Sequence, residues 1–262
     1  MIGAMGGFRD DFDGALDTSV WIPHYLPQWS SRAASAATYA VGGSELHLTI
    51  PAGHPIWCQS DHEPPLRVSG VQSGVHAGPV GSTAGQQPFR EGQTVREAQA
   101  TQWGWTPHHG TLEVSARMDL CPRSMASVWM VGLEDEPDRC GEICVFEIFG
   151  DALDGAVSAA VGMGIKPFRD PALSWDFEAP RLAIDVREPH VYAADWRPGR
   201  VDFSVDGEPV RSVAQAPDYP LQLMVAVFDF PQKPGPADHV PLLAVDRVRA
   251  DHRGSGAGGS PA

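Results

Sequence analysis

The chain has 262 residues, 42% of them hydrophobic, with 28 glycines, 24 prolines and a formal net charge of −14. Such a chain buries roughly three quarters of the surface it exposes when unfolded, and its hydrophobic content excludes a disordered protein. The negative charge argues against nucleic acid or an anionic membrane as partner, and no apolar run approaches the ~20 residues of a membrane-spanning helix.

The first residues, Met1 to Gly14, lack a basic region followed by an apolar core. They do not read as a secretory signal, so a cytoplasmic location is expected, or a secreted one if a leader was removed. Phe8 to Trp21 joins an apolar residue, an acidic glycine turn and an anchoring aromatic. Asp10, Asp11 and Asp13 read as a solvated acidic turn rather than a metal cluster. After the turn at Gly42-Gly43-Ser44, residues Glu45 to Ile50 alternate, with Leu46, Leu48 and Ile50 on one face and Pro51 as a stop.

Leu66 to Val71 is a strand candidate beside a proline-rich loop that holds Trp57. Gly74 to Gln93 reads as a long surface loop, and loops of that length are usually functional or mobile. Gln93 to Gln102 fits either a short helix or a strand. Gly110 to Met118 alternates cleanly, Ser127 to Leu133 is a further strand, and Glu134 to Arg139 is a charged loop. Gly155 to Gly164 reads as a strand of small residues and Lys166 to Pro180 as a second long loop. His190 to Val213 is a meander of strands with two turns. Leu221 to Phe228 and Leu243 to Arg249 are the closing strands. The pattern predicts an all-β sandwich or barrel over 1–251, as a single domain, with a flexible Gly/Ser tail over 252–262. Cys58, Cys121, Cys140 and Cys144 match no zinc spacing and are expected as buried thiols, with one disulfide left open.

Within Arg139 to Asp151 two glutamates, Glu142 and Glu147, interrupt an apolar, β-forming run. A buried charge has to be paired, hydrogen-bonded or neutralised. Two readings stand. In the ordinary one Glu142 faces solvent and Glu147 lies at an edge. In the other, a β-bulge supplies one extra residue and turns both glutamates to one face. Their backbones would then stand about 13 Å apart, and two converging side chains would approach the ~5–5.5 Å between carboxyls that a retaining glycosidase uses.

The run Glu142-Ile143-Cys144-Val145-Phe146-Glu147 resembles the signature strand of the family 16 glycoside hydrolases in its bulged form, Glu-x-Asp-x-x-Glu, with Cys144 in place of the central Asp. Other segments resemble the family in order and spacing: Phe8 to Trp21 its opening, His190 to Val213 its meander, Ala244 to Arg249 its closing strand. The likeness runs from about Phe8 to Asp251. A His often found on the strand after the motif is missing from Ala160 to Gly164.

The resemblance implies a concanavalin A-like β-jelly roll of two stacked antiparallel sheets, and a retaining endo-acting hydrolase of a β-linked polysaccharide. A β-1,3- or mixed-linked glucan is the first expectation for substrate; agarases and carrageenases share the motif. Glu142 matches the nucleophile. Glu147 matches the acid/base and has to carry a proton, which burial or the like charge of Glu142 would favour. Cys144, a weak donor beside the nucleophile, implies a slow enzyme. Trp129 matches a cleft tryptophan, and Trp103, Trp105 and Trp175 are further candidate sugar platforms, with core packing as the alternative for each. His190 and Trp196 are expected to be structural. No cofactor is expected for catalysis. A structural calcium ion is implied, with Asp246 and a carbonyl of Gly43 as ligands. The expected partner is a polysaccharide or oligosaccharide, and the chain is expected to be a monomer. A non-catalytic carbohydrate-binding protein on the same sandwich is the alternative, favoured by Cys144 and the missing His.

Overall fold

A computed structural model describes residues 7–59 and 61–251. The tail at 252–262 lies outside the described residues. The chain forms two large antiparallel sheets, and its only helical elements among the described residues are two 3₁₀ turns, Pro27–Trp29 and Gly150–Ala152. None of the described helices is long and apolar enough to cross a membrane.

The sheet that carries the glutamates has six strands: β1 (Arg67–Gln72), β2 (Ser124–Gly132), β3 (Glu142–Phe149), β4 (Gly162–Lys166), β5 (Asp176–Glu178) and β6 (Leu221–Asp229). Their order is β5-β4-β3-β2-β6-β1. The second sheet runs Glu208–Val213, Arg200–Val205, His190–Arg197, Gly110–Asp119, Leu242–Asp251, Leu46–Thr49, Tyr39–Val41, with Phe8–Asp10 also paired to Leu242–Asp251. This is the two-layer jelly-roll sandwich that the alternating pattern and the resemblance predict.

The main core fills the space between the sheets. Val128, Ile143, Phe146 and Val225 from one meet Val114, Ala116, Tyr192 and Val245 from the other. A second apolar cluster covers part of the opposite face of the six-stranded sheet, where Leu26, Trp29 and Trp57 pack on Val68, Met125, Trp129, Met224 and Phe228. Strands β2 and β6 are therefore buried on both faces along their whole length, which fits their mostly apolar sequences, with Ser124, Ser127, Gln222 and Asp229 as the buried polar exceptions.

Three expectations are corrected. Gly155 to Gly164 is not one strand: Ser158–Ala160 pairs in a small separate sheet, and β4 begins at Gly162. The loop from Lys166 to Pro180 contains edge strand β5. The segment from Gly74 is more than a surface loop: Gly74–Val75 pairs with Gln102–Trp103, and Gln86 is fully buried, its carbonyl accepting from Trp29 Nε1 at 2.8 Å and Gln28 Nε2 at 3.0 Å. Gly85 lies against Trp29 so closely that a Cβ there would stand 2.8 Å from the ring. Gln93 to Gln102, undecided in the sequence, forms neither element apart from that pairing at Gln102. All four cysteines are buried free thiols.

Candidate active site

The register of β3 against β2 shifts by one residue. Glu147 pairs with Ser127 and Phe146 with Val128, but Trp129 then faces Cys144 and Val131 faces Glu142. Val145 is the extra residue. Val145 and Phe146 both point into the core between the sheets. The Ser127 hydroxyl donates to the Phe146 carbonyl at 2.9 Å and ties down the kink. The consequence follows from strand geometry: Glu142, Cys144 and Glu147 share one face, because directly paired residues of an antiparallel ladder project to the same side.

The neighbouring strand shows why this face stays open around Glu147. Its cross-strand partners to Glu147 and Cys144 are Gly162 and Gly164. A Cβ on Gly162 would stand 2.5 Å from the Phe177 ring, and Gly164 adopts φ +143°, which disfavours any side chain. Two residues further on, Lys166 supplies the cation of the site. Its Nζ is 3.2 Å from Glu142 Oε1 and 3.0 Å from Glu147 Oε2. The two oxygens therefore lie within roughly 6 Å of each other, close to the spacing of a retaining pair. The same ammonium stands 4.7 Å from the Phe177 ring centroid.

Burial falls hardest on Glu142, whose side chain is 5% exposed against 19% for Glu147. Burial pushes the Glu142 carboxyl up, and Lys166 opposes that shift. On Lys166 burial works downward, but the two glutamates more than offset it and the ammonium is held firmly charged. The Cys144 thiol is fully buried and pushed well up by burial, so it is a neutral group, 3.9 Å from the Gly162 carbonyl.

Gln87 closes the site from the long loop. Its Nε2 donates to Glu142 Oε2 at 3.2 Å, and its Oε1 accepts from Trp129 Nε1 at 3.4 Å. Its backbone is left-handed, φ +46°, and its N–H donates to Glu134 Oε1 at 2.6 Å. Glu134 is itself buried, pushed up to about 7 by that burial, and paired with Arg169. Gln87, Glu134, Lys166, Arg169 and Phe177 were not singled out in the sequence. Lys166 left a signal: it follows Gly164 by two residues, so extending the strand by those two residues would have included it, and it pairs there with Glu142.

The sequence model of the glycosyl hydrolases family 16 matches residues 105–236, about half of the chain, and this stretch contains Trp129, Glu142, Glu147 and Lys166. The chain belongs to this family. No curated protein matches it. Among solved structures it is similar to a GlcNAcα1-4Gal releasing endo-β-galactosidase from Clostridium perfringens, at 22% identity and a TM-score of 0.78, covering 93% of this chain and 61% of that one. It is also similar to a laminarinase from Flavobacterium sp. UMI-01, at 16% identity and 0.63, covering 94% and 99% of the two chains. A prokaryotic β-1,3-1,4-glucanase (lichenase) derived from a mouse hindgut metagenome matches at 16% and 0.58, covering 94% and 98%. At these identities the likeness carries the fold. Family membership supports a glycoside hydrolase, and the chain spans 61% of the length of the Clostridium protein.

The four tryptophans predicted from the family separate in space. Trp129 lies on the face of the glutamates but is 5% exposed, wedged near Tyr25 and Phe228. Trp105 is corrected to a packing residue: its ring stacks on Phe8 at 4.5 Å and abuts the main core. Trp103 is 45% exposed on the short strand beside Gly74–Val75. Trp175 is 65% exposed and edge-on to Phe177, next to the strand of Lys166. His190 is partnered through both nitrogens, to Asp206 at 2.6 Å and to the Asp185 carbonyl at 3.0 Å, and Trp196 is buried.

Asp246 and Gly43 are brought to one surface pocket with Asp11, Asp13, Glu45, Arg9 and Arg247. Asp246 Oδ1 is buried there with no hydrogen-bond partner. Asp10 stands apart from this pocket, accepting from Phe12 N and Trp21 Nε1.

Proposed function

We propose that the protein is a retaining endo-glycoside hydrolase of a β-linked polysaccharide, with Glu142 as nucleophile and Glu147 as acid/base. The bulge at Val145 carries this reading, because it alone sets both carboxyls on one face within reach of one ammonium. In the first step a Glu142 oxygen attacks the anomeric carbon as Glu147 gives its proton to the departing glycosidic oxygen. In the second, Glu147 takes a proton from water, and that water displaces Glu142. Lys166 favours the ionised form of Glu142 that attack needs, against the burial that opposes it. A sugar entering the site displaces Gln87 from Glu142. A β-1,3- or mixed-linked glucan is the first substrate to try; a galactose-containing glycan joins the panel because of the Clostridium neighbour. The test is reducing-end release on such a panel by wild type, Glu142→Gln and Glu147→Gln. Each variant is expected to lose at least about a hundredfold in turnover with its melting curve unchanged. Normal hydrolysis by both would overturn the assignment.

A second reading, a carbohydrate-binding protein without turnover, is favoured by the neutral Cys144 and by the capping of Glu142 by Gln87. It predicts saturable polysaccharide binding and no product from wild type.

We further propose a structural calcium ion at Asp246. The fit rests on the orphaned, buried Asp246 Oδ1, with the Gly43 backbone and the Asp11 and Asp13 carboxylates in the same pocket as hard oxygen donors.

A further inference from the structure

A second cluster lies away from the glutamates, at the start of strand Gly110–Asp119. His108 Nε2 is 2.9 Å from Asp218 Oδ1, and His109 Nε2 is 3.5 Å from the same oxygen. The three ligand atoms all lie within 4.8 Å of one another. Consecutive residues of an extended chain point to opposite sides. Here the left-handed backbone of His109, φ +65°, brings both rings to one side, their centroids 4.2 Å apart.

The cluster is held from beneath. The buried Trp196 ring meets His109 at 4.9 Å and His108 at 5.8 Å. Its Nε1 donates to the Pro217 carbonyl at 3.1 Å, which fixes the residue before Asp218. On the other side Tyr219 is fixed by donating to Asp170 at 2.6 Å and accepting from Gly141 N at 2.7 Å. The Pro107 carbonyl, just before the histidines, accepts from Leu221 N at 3.0 Å. All three side chains therefore stand on clamped backbone, which is what a preformed ligand set needs. His109 Nε2 is buried without a hydrogen-bond partner.

We propose that His108, His109 and Asp218 form a binding site for a borderline divalent metal ion, zinc being the reference case. Two imidazole nitrogens and one carboxylate oxygen suit zinc and its neighbours rather than calcium or magnesium. Bonds of ~2.0–2.1 Å in a tetrahedron place ligand atoms about 3.4 Å apart; the two edges to Asp218, 2.9 and 3.5 Å, bracket that value, and the third, between the imidazoles, lies within 4.8 Å. The exposed side of Asp218 leaves the fourth position to water. The ion joins the Pro107–Gly110 corner to the Pro217–Tyr219 turn, whose Tyr219 holds the backbone one residue before Glu142.

The test is zinc chloride titration of the untagged, chelator-treated full chain by calorimetry, with metal content measured after dialysis. One saturable zinc per chain is expected, with affinity at least about tenfold weaker in His108→Ala and in Asp218→Asn. His239→Ala removes the looser pair with Asp119 (3.9 Å) and is expected to bind as wild type. His108 and Asp218 are both exposed, so melting curves of these variants without metal should match wild type; Asp218→Asn keeps the test open if His108→Ala does not fold. Absence of saturable zinc uptake, or uptake unchanged in both site variants, would overturn the proposal.

Discussion

The backbone N–H of Gln87 donates to Glu134 Oε1 at 2.6 Å, so a buried carboxyl holds the residue that caps Glu142. Glu134 is pushed up to about 7, and Glu142 is pushed in the same direction, both by burial. An acid raised above its unfolded value stabilises the fold most at low pH and loses that contribution as pH rises through its folded value. Melting temperature is therefore expected to fall from pH 4.5 toward pH 7.5, by an amount worth a few kcal/mol at most, since a tenfold change in proton affinity is worth about 1.36 kcal/mol. Glu134→Gln should flatten this slope. A wild-type melting temperature that climbs over the same range would contradict it.

Lys166 is the only cation within hydrogen-bond reach of both glutamates among the described residues. Lys166→Met keeps most of the side-chain volume and leaves two carboxyls without a counter-charge. Breaking a buried pair in this way costs about 3–5 kcal/mol. Without the ammonium, Glu142 shifts further up, so the loss should be larger at pH 8 than at pH 5. Thermal unfolding at the two pH values measures it. Equal melting to wild type at pH 8 would show that the bridge contributes nothing.

Cys144→Asp tests the proposal that Cys144 stands where the resemblance implies a central acid between the two glutamates. A hydrogen bond to a charged group is worth about 1.5–3 kcal/mol, and each 1.36 kcal/mol is a factor of ten in rate. Turnover on the best glucan or galactan is expected to rise by roughly ten- to a hundredfold. Stability should drop, because a new carboxylate enters a fully buried position. Unchanged or lower turnover in a folded variant would clear Cys144 of slowing the enzyme.

Calcium is expected to raise the melting temperature of chelator-treated protein. A ligand at a hundred times its dissociation constant adds about 2.7 kcal/mol, roughly 5–10 °C for a chain of this size. Asp246→Asn should abolish the response. An identical melt with calcium and with chelator would remove the ion from the account.

The strands and the glutamate pair were legible because their signals are local. Alternation marks Gly110–Asp119, and two carboxylates in an apolar run mark β3. The bulge was legible only as an alternative, since residue spacing permits it and the register against β2 decides it. What stayed hidden depends on chain distant in sequence. Gln87 reaches Glu142 across 55 positions, and Arg169 reaches Glu134 across 35. Trp105 looked like a sugar platform because an aromatic in a loop carries no mark of what it will stack on, and here that is Phe8.

At Val145 and Phe146 two consecutive side chains enter the interior, so the interior acts as a gauge for the surface above it. The stagger between Glu142 and Glu147 is kept by how much volume lies beneath. A Phe146→Leu change, in a ring that meets Tyr192 at 4.4 Å, is far from any sugar. Yet it loosens the one place where the strand stores its extra residue. Selection on bond cleavage would then act on an oily residue that no substrate touches.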